Sequence, residues 1–348
     1  MSRRIHTPTP HEEEIIRLEQ QLRGNKVQIA DLRKSVARAR TEADLWQEKY
    51  DEALAIMEPQ NIQPLLASSS QQEERRGVSL VGLSDWHVAE KIDKAKVRGL
   101  NSYSPAICRK RAVHCMESII RLQRHTVKSY DASTMVLWLG GDFVTGYLHP
   151  ELEQTNFMGP VEESLFAVEL LTQCIGMLAQ EKSIKKLHIV CQRGNHGRTT
   201  KKMQFKNDFE TSHETMVYAA LAGSIKADHI QWEIPKADVH YVDLLKDWRL
   251  RCFHGHQVKY NDGVGGVSIS LNKWEAKQDQ TRKAHHNIMG HFHQYSEPNT
   301  RTTMNGSLKG WDEYAASFGF PYQEPLQTFL LLDASRRMVA QRMPVFCA

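Results

Sequence analysis

Val78-Ser79-Leu80-Val81-Gly82-Leu83 runs directly into Ser84-Asp85-Trp86-His87. The first six residues have the length and composition of a buried strand. On an extended chain, residues i and i+2 point to the same side. The spacing therefore predicts that Asp85 and His87 meet at the strand's C-terminal end. One carboxylate and one imidazole together suit a metal ion.

Four later segments repeat the pattern. Residues 134–139 lead into Gly140-Gly141-Asp142, and residues 187–191 lead into Gly194-Asn195-His196-Gly197. Residues 250–253 lead into His254-Gly255-His256, and residues 287–289 into Gly290-His291-Phe292-His293. Glycine beside the polar residues lets the backbone turn just past the strand and leaves a side chain at the sheet edge. Five strand ends carrying Asp, Asn and His to one edge are what a two-metal site needs.

The rest of the 348-residue chain is consistent with this reading. No run of eighteen apolar residues predicts a membrane span, and Met1-Ser2-Arg3-Arg4 opens onto polar residues rather than a secretory signal. Six scattered cysteines without a C-x-x-C pair suit reduced thiols in a cytoplasmic protein. The net charge of +4 permits a nucleic-acid partner without demanding one.

Taken in order, residues 1–11 read as a disordered leader. Residues 12–58 read as a coiled-coil helix, 59–77 as a linker and 78–348 as the catalytic domain. In the helix, Ile15, Leu18, Leu22, Asn25, Ile29, Leu32 and Val36 alternate steps of three and four, and the pattern continues to Met57. That 3.5-residue period predicts a homo-oligomeric coiled coil, the alternative being one amphipathic helix lying on the catalytic domain. Within the catalytic domain, helices are expected over 105–128, 161–180, 209–223 and 267–282. The tail reads as two neighbouring strands, 327–333 and 337–342. Strands alternating with helices give an α/β class.

Asp-x-His, Gly-Asp, Gly-Asn-His, His-Gly and Gly-His-x-His, in that order and each after a strand, resemble the five signature blocks of the calcineurin-like metallophosphoesterases. The resemblance covers about residues 78–310. It implies a four-layer α-β-β-α sandwich and two divalent ions. Asp85, His87 and His293 would hold one ion; Asn195, His254 and His291 would hold the other; Asp142 would bridge them. Mixed N and O ligation without cysteine points to Mn²⁺ first, with Fe or Zn²⁺ as alternatives. The resemblance also gives His196 the catalytic role, acting on the transition state or the leaving oxygen. The nucleophile would be a metal-activated hydroxide, with no covalent phosphoenzyme.

Arg198, His149 and His256 are candidate substrate contacts. Residues 142–152 and 263–266 are candidates for the rim of a groove, and Asn305-Gly306-Ser307 is expected to close the site. Two positions depart from familiar subgroups. Gly197 stands where protein phosphatases of this class carry Glu, and Thr145 stands where repair nucleases often carry a second His. The Gly141–Tyr147 loop and residues 305–308 resemble phage- and prophage-encoded members described as DNA-exonuclease-like. The resulting expectation is a two-metal phosphodiesterase acting on DNA and oligomerised through residues 12–58. A phosphomonoesterase is the alternative, and a metal-stabilised binding module without activity is the third reading.

Overall fold

The computed structural model describes residues 9–57, 75–244, 248–260 and 266–348, with side chains to residue 51 in the first stretch. Most of the expected leader and linker, and residues 263–265 of the expected rim, lie outside the described residues. The chain divides into two compact units, Met1–Gln71 and Gln72–Ala348. No helix among the described residues is long and apolar enough to cross a membrane.

In the first unit, Pro10–Met57 form one 48-residue helix, α1. It starts two residues before the expected position because Thr9 caps it. Glu12 N donates to Thr9 Oγ1 at 3.4 Å, and Thr9 N donates to Glu12 Oε2 at 2.8 Å. This is a reciprocal capping box with proline at the first helical position. The apolar positions Ile15, Leu18, Leu22, Ile29, Leu32 and Val36 are all exposed on α1.

The second unit is mixed α/β. Its elements in order are β1 (Gly77–Leu83), α2 (Pro105–Thr126), β2 (Thr134–Leu139), α3 (Pro150–Thr155), α4 (Pro160–Ala179), β3 (Lys186–Cys191), α5 (His213–Ser224) and β4 (Ile230–Glu233). These are followed by β5 (Val239–Leu244), β6 (Trp248–Phe253), α6 (Gly266–Thr281), β7 (His286–Met289), β8 (Ser296–Asn299), β9 (Thr302–Met304), α7 (Glu313–Phe318), β10 (Leu326–Asp333) and β11 (Met338–Phe346).

One sheet has the order β11-β10-β1-β2-β3-β4, the other β5-β6-β7-β9-β8. Strands β1 to β4 run parallel, while β10 and β11 join antiparallel beside β1. The tail is thus the expected strand pair. In the second sheet β6, β7 and β9 are parallel.

Burial follows the strand period of two. Val81, Leu83, Met135, Leu137 and Ile189 pack with α2, α4 and α5 in one apolar cluster. Their neighbours Val78, Leu80, Val136, Trp138 and Val190 pack with Leu250, Cys252 and Ile288 of the second sheet. A third cluster joins Phe253 and Met289 to Leu271 of α6. Burial on both faces is why β1, β2 and β3 read as continuous apolar runs.

One helix starts later than its composition suggests. The stretch expected from residue 209 becomes helical at His213, where Ser212 accepts a hydrogen bond from Glu214 N. Phe209 lies before the helix, with the Arg193 guanidinium 5.1 Å from its ring centroid.

Candidate metal centre

The five polar blocks follow strands that end on the same side of their sheets, as the parallel order requires. The way in which they converge differs from the strand alternation expected. β1 stops at Leu83, and Asp85 and His87 lie beyond it with φ of 57° and 46°. Asp142, His291 and His293 have φ of 54°, 73° and 56°. Among the described residues, seven non-glycine residues have positive φ, and these five are most of them. Left-handed backbone, not extended backbone, brings the candidate ligand side chains together. Such a conformation costs about 1–3 kcal/mol per residue and is least costly for Asp, Asn and His.

Backbone hydrogen bonds between the loops hold these conformations. Asp85 N donates to Gly141 O at 2.9 Å, and His87 N to Asp142 O at 3.0 Å. His291 N donates to Asp85 Oδ1 at 3.1 Å. Two glycines serve close approach rather than turning. A Cβ on Gly194 would lie 2.0 Å from Asp142 Oδ1, and one on Gly290 would lie 2.3 Å from Asp85 Oδ2.

The side chains form three overlapping groups that could hold a metal: Asp85-His87-His293, His87-Asp142-His196 and Asp142-His254-His291. Within each group the donor atoms all lie within 4.8 Å of one another. His87 Nε2 and His293 Nε2 face each other at 3.2 Å, and Asp85 Oδ1 is 3.4 Å from His293 Nε2. Asp142 Oδ2 and His254 Nε2 are 3.0 Å apart but out of hydrogen-bonding alignment. Both atoms are buried without a hydrogen-bond partner, as is Asn195 Oδ1. Buried polar atoms left unpaired are costly, and a cation at their centre would satisfy them. His254 Nδ1 lies 2.7 Å from Gly140 O, which assigns the ring proton to Nδ1 and leaves Nε2 as a donor atom for a metal.

The electrostatics fit the same picture. Burial, then the charge of Lys309 and the nearby His196 and His293, hold His87 well below the usual imidazole range. Burial and His254 do the same for His291. Burial works against charge on His254, but Asp142 and Asp85 outweigh it and lift His254 to about 10. Asp142 is held well below the carboxylate range, against its own burial, by His254 and His196. A proton on this pair does electrostatically what a cation would do.

His196 is tethered twice. Its backbone N donates to Asp142 Oδ1 at 2.8 Å, and its Nδ1 lies 2.9 Å from Thr145 O. Its ring centroid is 4.6 Å from that of His87. His149 stands at the exposed rim, its ring 6.0 Å from His196. The Arg198 guanidinium is spent partly on its own loop, donating to Asn195 O and Thr200 O at 3.2 Å each. His256 sits beside His254 and His291, with Nε2 3.7 Å from Asp238 Oδ2. Arg198, His256 and Asn195 line one small cleft.

Asn305-Gly306-Ser307 does not close the site. It props the back of it: Asn305 Nδ2 donates to Ser84 Oγ and Ser307 Oγ to Asp85 O, both at 2.8 Å. Two helix carboxylates not singled out in the sequence hold the site loops. Glu214 of α5 accepts from Phe143 N and Gly194 N at 2.7 Å each. Glu163 of α4 accepts from Thr145 N, and from Gly146 N at 3.0 Å. In sequence they look like ordinary acids in a first helical turn. Behind His87, Lys309 Nζ pairs with Glu90 at 2.8 Å and Asp312 at 2.7 Å, all three buried. Gln327 of β10 accepts from Ser84 N at 2.9 Å and Trp86 Nε1 at 3.1 Å.

No protein-family model matches the chain. No curated protein matches it in sequence. Among solved structures it is similar to wild-type Vps29 complexed with Zn²⁺ from Entamoeba histolytica, with 12% identity and a TM-score of 0.29 over 74% of this chain and 86% of that one.

Proposed function

We propose that the chain is a metal-dependent phosphodiesterase of the calcineurin-like metallophosphoesterase type that cleaves nucleic acid, DNA in the first instance. The observation that carries this reading is the pair of donor groups Asp85-His87-His293 and Asp142-His254-His291, linked through the third group, which shares His87 with one and Asp142 with the other. The unpaired buried atoms of Asp142, His254 and Asn195 fit a second cation beside the first. The three apolar clusters support α-β-β-α layering of the second unit.

Two divalent ions bound there would supply an acidified water and positive charge at the phosphoryl oxygens, and the mixed N and O donor set suits Mn²⁺, Fe or Zn²⁺. The chain does the positioning. Neutral His87 and His291 are ready as ligands without first losing a proton. Asp142, a member of two of the three groups, would be the carboxylate shared by the ions. His196, fixed through its backbone N and by Nδ1 against Thr145 O, keeps Nε2 for the substrate, as an acceptor while the ring is neutral and as a donor to a substrate oxygen once it is protonated. The exposed stripe of α1, with its 3.5-residue period, supports pairing with a second copy of the chain.

The test is hydrolysis with added Mn²⁺ of single-stranded DNA, duplex DNA and bis-p-nitrophenyl phosphate, with Asp142→Ala as the control. Cleavage by the native chain alone is the expected result. Turnover confined to phosphate monoesters would replace the diesterase with a phosphatase. Bound metal without any turnover would leave a binding module.

A further inference from the structure

A run of aromatic rings leads away from the metal centre. It begins at Phe292, between two candidate ligands, with its ring 5.0 Å from His291. Tyr260 follows at 6.4 Å from Phe292, then Phe320 at 6.3 Å from Tyr260. Tyr314 lies 6.0 Å from Phe320, and Phe318 lies 4.6 Å from Tyr314. This is not a core. Tyr260, Tyr314 and Phe318 are 49%, 63% and 68% exposed.

The ridge is tied to the site at both ends. Beyond His293, Gln294 Nε2 donates to Pro321 O at 3.2 Å, and Phe320 N donates to Ala315 O at 2.9 Å. Asp312, which caps α7, is the partner of Lys309, whose other partner Glu90 is 3.8 Å from His87. The segment after Glu90 carries Lys91, Lys94, Lys96 and Arg98, all exposed, with one acid, Asp93, among them. It is fastened to α7 through Asp93 N, which donates to Glu313 Oε1 at 2.8 Å. The cationic turn is thereby held beside α7, which carries two of the exposed rings, Tyr314 and Phe318.

We propose that this ridge binds a single-stranded polynucleotide, with bases stacked on Tyr260, Tyr314 and Phe318 and phosphates held by Lys94, Lys96 and Arg98. The inference rests on the phosphodiesterase reading above and names the form of its substrate. Every base has a face that can lie on an aromatic ring, whereas bases inside a duplex already stack on one another. An apolar protein partner would explain the rings but not the exposed cations held beside α7. Clustered cations suit the charge of a phosphate backbone.

The experiment is fluorescence anisotropy of a labelled oligothymidylate with the full chain in EDTA, so that binding is read without cleavage. Unlabelled duplex is the competitor. The native chain is expected to prefer the single strand. Tyr314→Ala with Phe318→Ala is expected to weaken binding about tenfold or more while melting at the native temperature. Lys94→Ala with Lys96→Ala should lower the salt slope by about 0.7 for each phosphate that is no longer neutralised. Native affinity in the ring variant, or equal affinity for duplex, would overturn the ridge. So would a ring variant that changes only the mass in light scattering, since that marks a protein-docking face. Turnover of bis-p-nitrophenyl phosphate by the native chain is measured separately. Its failure with ring-dependent binding intact would remove the phosphodiesterase and keep the ridge.

Discussion

α1 and the metal centre break the usual rule of burial in opposite directions. On α1, Ile15, Leu22, Ile29 and Leu32 lie in solvent. In the centre, Asp142 Oδ2, Asn195 Oδ1 and His254 Nε2 lie buried with no hydrogen-bond partner. Each departure points to what is needed to complete it. Exposed apolar residues in a 3.5-residue period call for another apolar stripe, and buried oxygen and nitrogen donors call for a cation. The difference teaches where each kind of information sits. The helix's need is written in periodicity, while the centre's need emerges only when residues from distant parts of the chain are folded together.

The sharpest way to break this comparison is Asp142→Ala. It removes the one carboxylate shared by two of the donor groups. Metal content by mass spectrometry should fall to background and hydrolysis should vanish; retained turnover would sink the assignment. His196→Ala is the next largest effect. The metals should stay while the rate falls at least about 10²-fold, the usual worth of one proton-transferring group. Metal loss in that variant would make His196 a ligand rather than a catalyst.

On the other side of the comparison, Leu22→Glu with Ile29→Glu puts charge into the proposed seam. Light scattering should then report the mass of a single chain, with hydrolysis of bis-p-nitrophenyl phosphate retained. An unchanged mass would show that the stripe has no like partner.

The smallest effect concerns a loop support. Burial pushes Glu163 up from 4.5 to about 7, against its backbone hydrogen bonds. A carboxyl with a raised folded pKa binds more protons folded than unfolded between those values. Its contribution to stability therefore falls as pH rises from about 4.5 to about 7, by up to about 3 kcal/mol. Thermal melting from pH 4.5 to 8 should show the native chain losing ground to Glu163→Gln across that window. A constant difference between the two would place the group's titration elsewhere.

Much of the candidate centre was legible as sequence. All seven candidate ligands and His196 stood in short polar blocks after apolar runs, and the fold brings seven of these eight into the three donor groups. Asn195 adds an unpaired buried oxygen. What could not be read was how the blocks meet. Period-two reasoning put Asp85 and His87 on one side of a strand, whereas both lie past its end in left-handed backbone. The supports were hidden for another reason. Gln327 lies 243 residues from Ser84, and Glu214 lies 71 from Phe143. No local pattern marks a side chain whose partner is a distant backbone N–H. The four-residue strands β4 and β8 were hidden as well, since pairing with neighbours makes them strands where so short a stretch does not.

The left-handed backbone at Asp85, His87, Asp142, His291 and His293 also limits how this protein can change. Glutamate and cysteine offer donor atoms as good as those present, yet neither shares the ease of Asp and His in that conformation. A change to cysteine at one of these five positions would therefore carry a backbone cost as well as a change of donor atom. At these positions the donor residues that fit the backbone best are few: aspartate, asparagine and histidine, all hard or borderline. At these five positions backbone shape alone disfavours a soft donor.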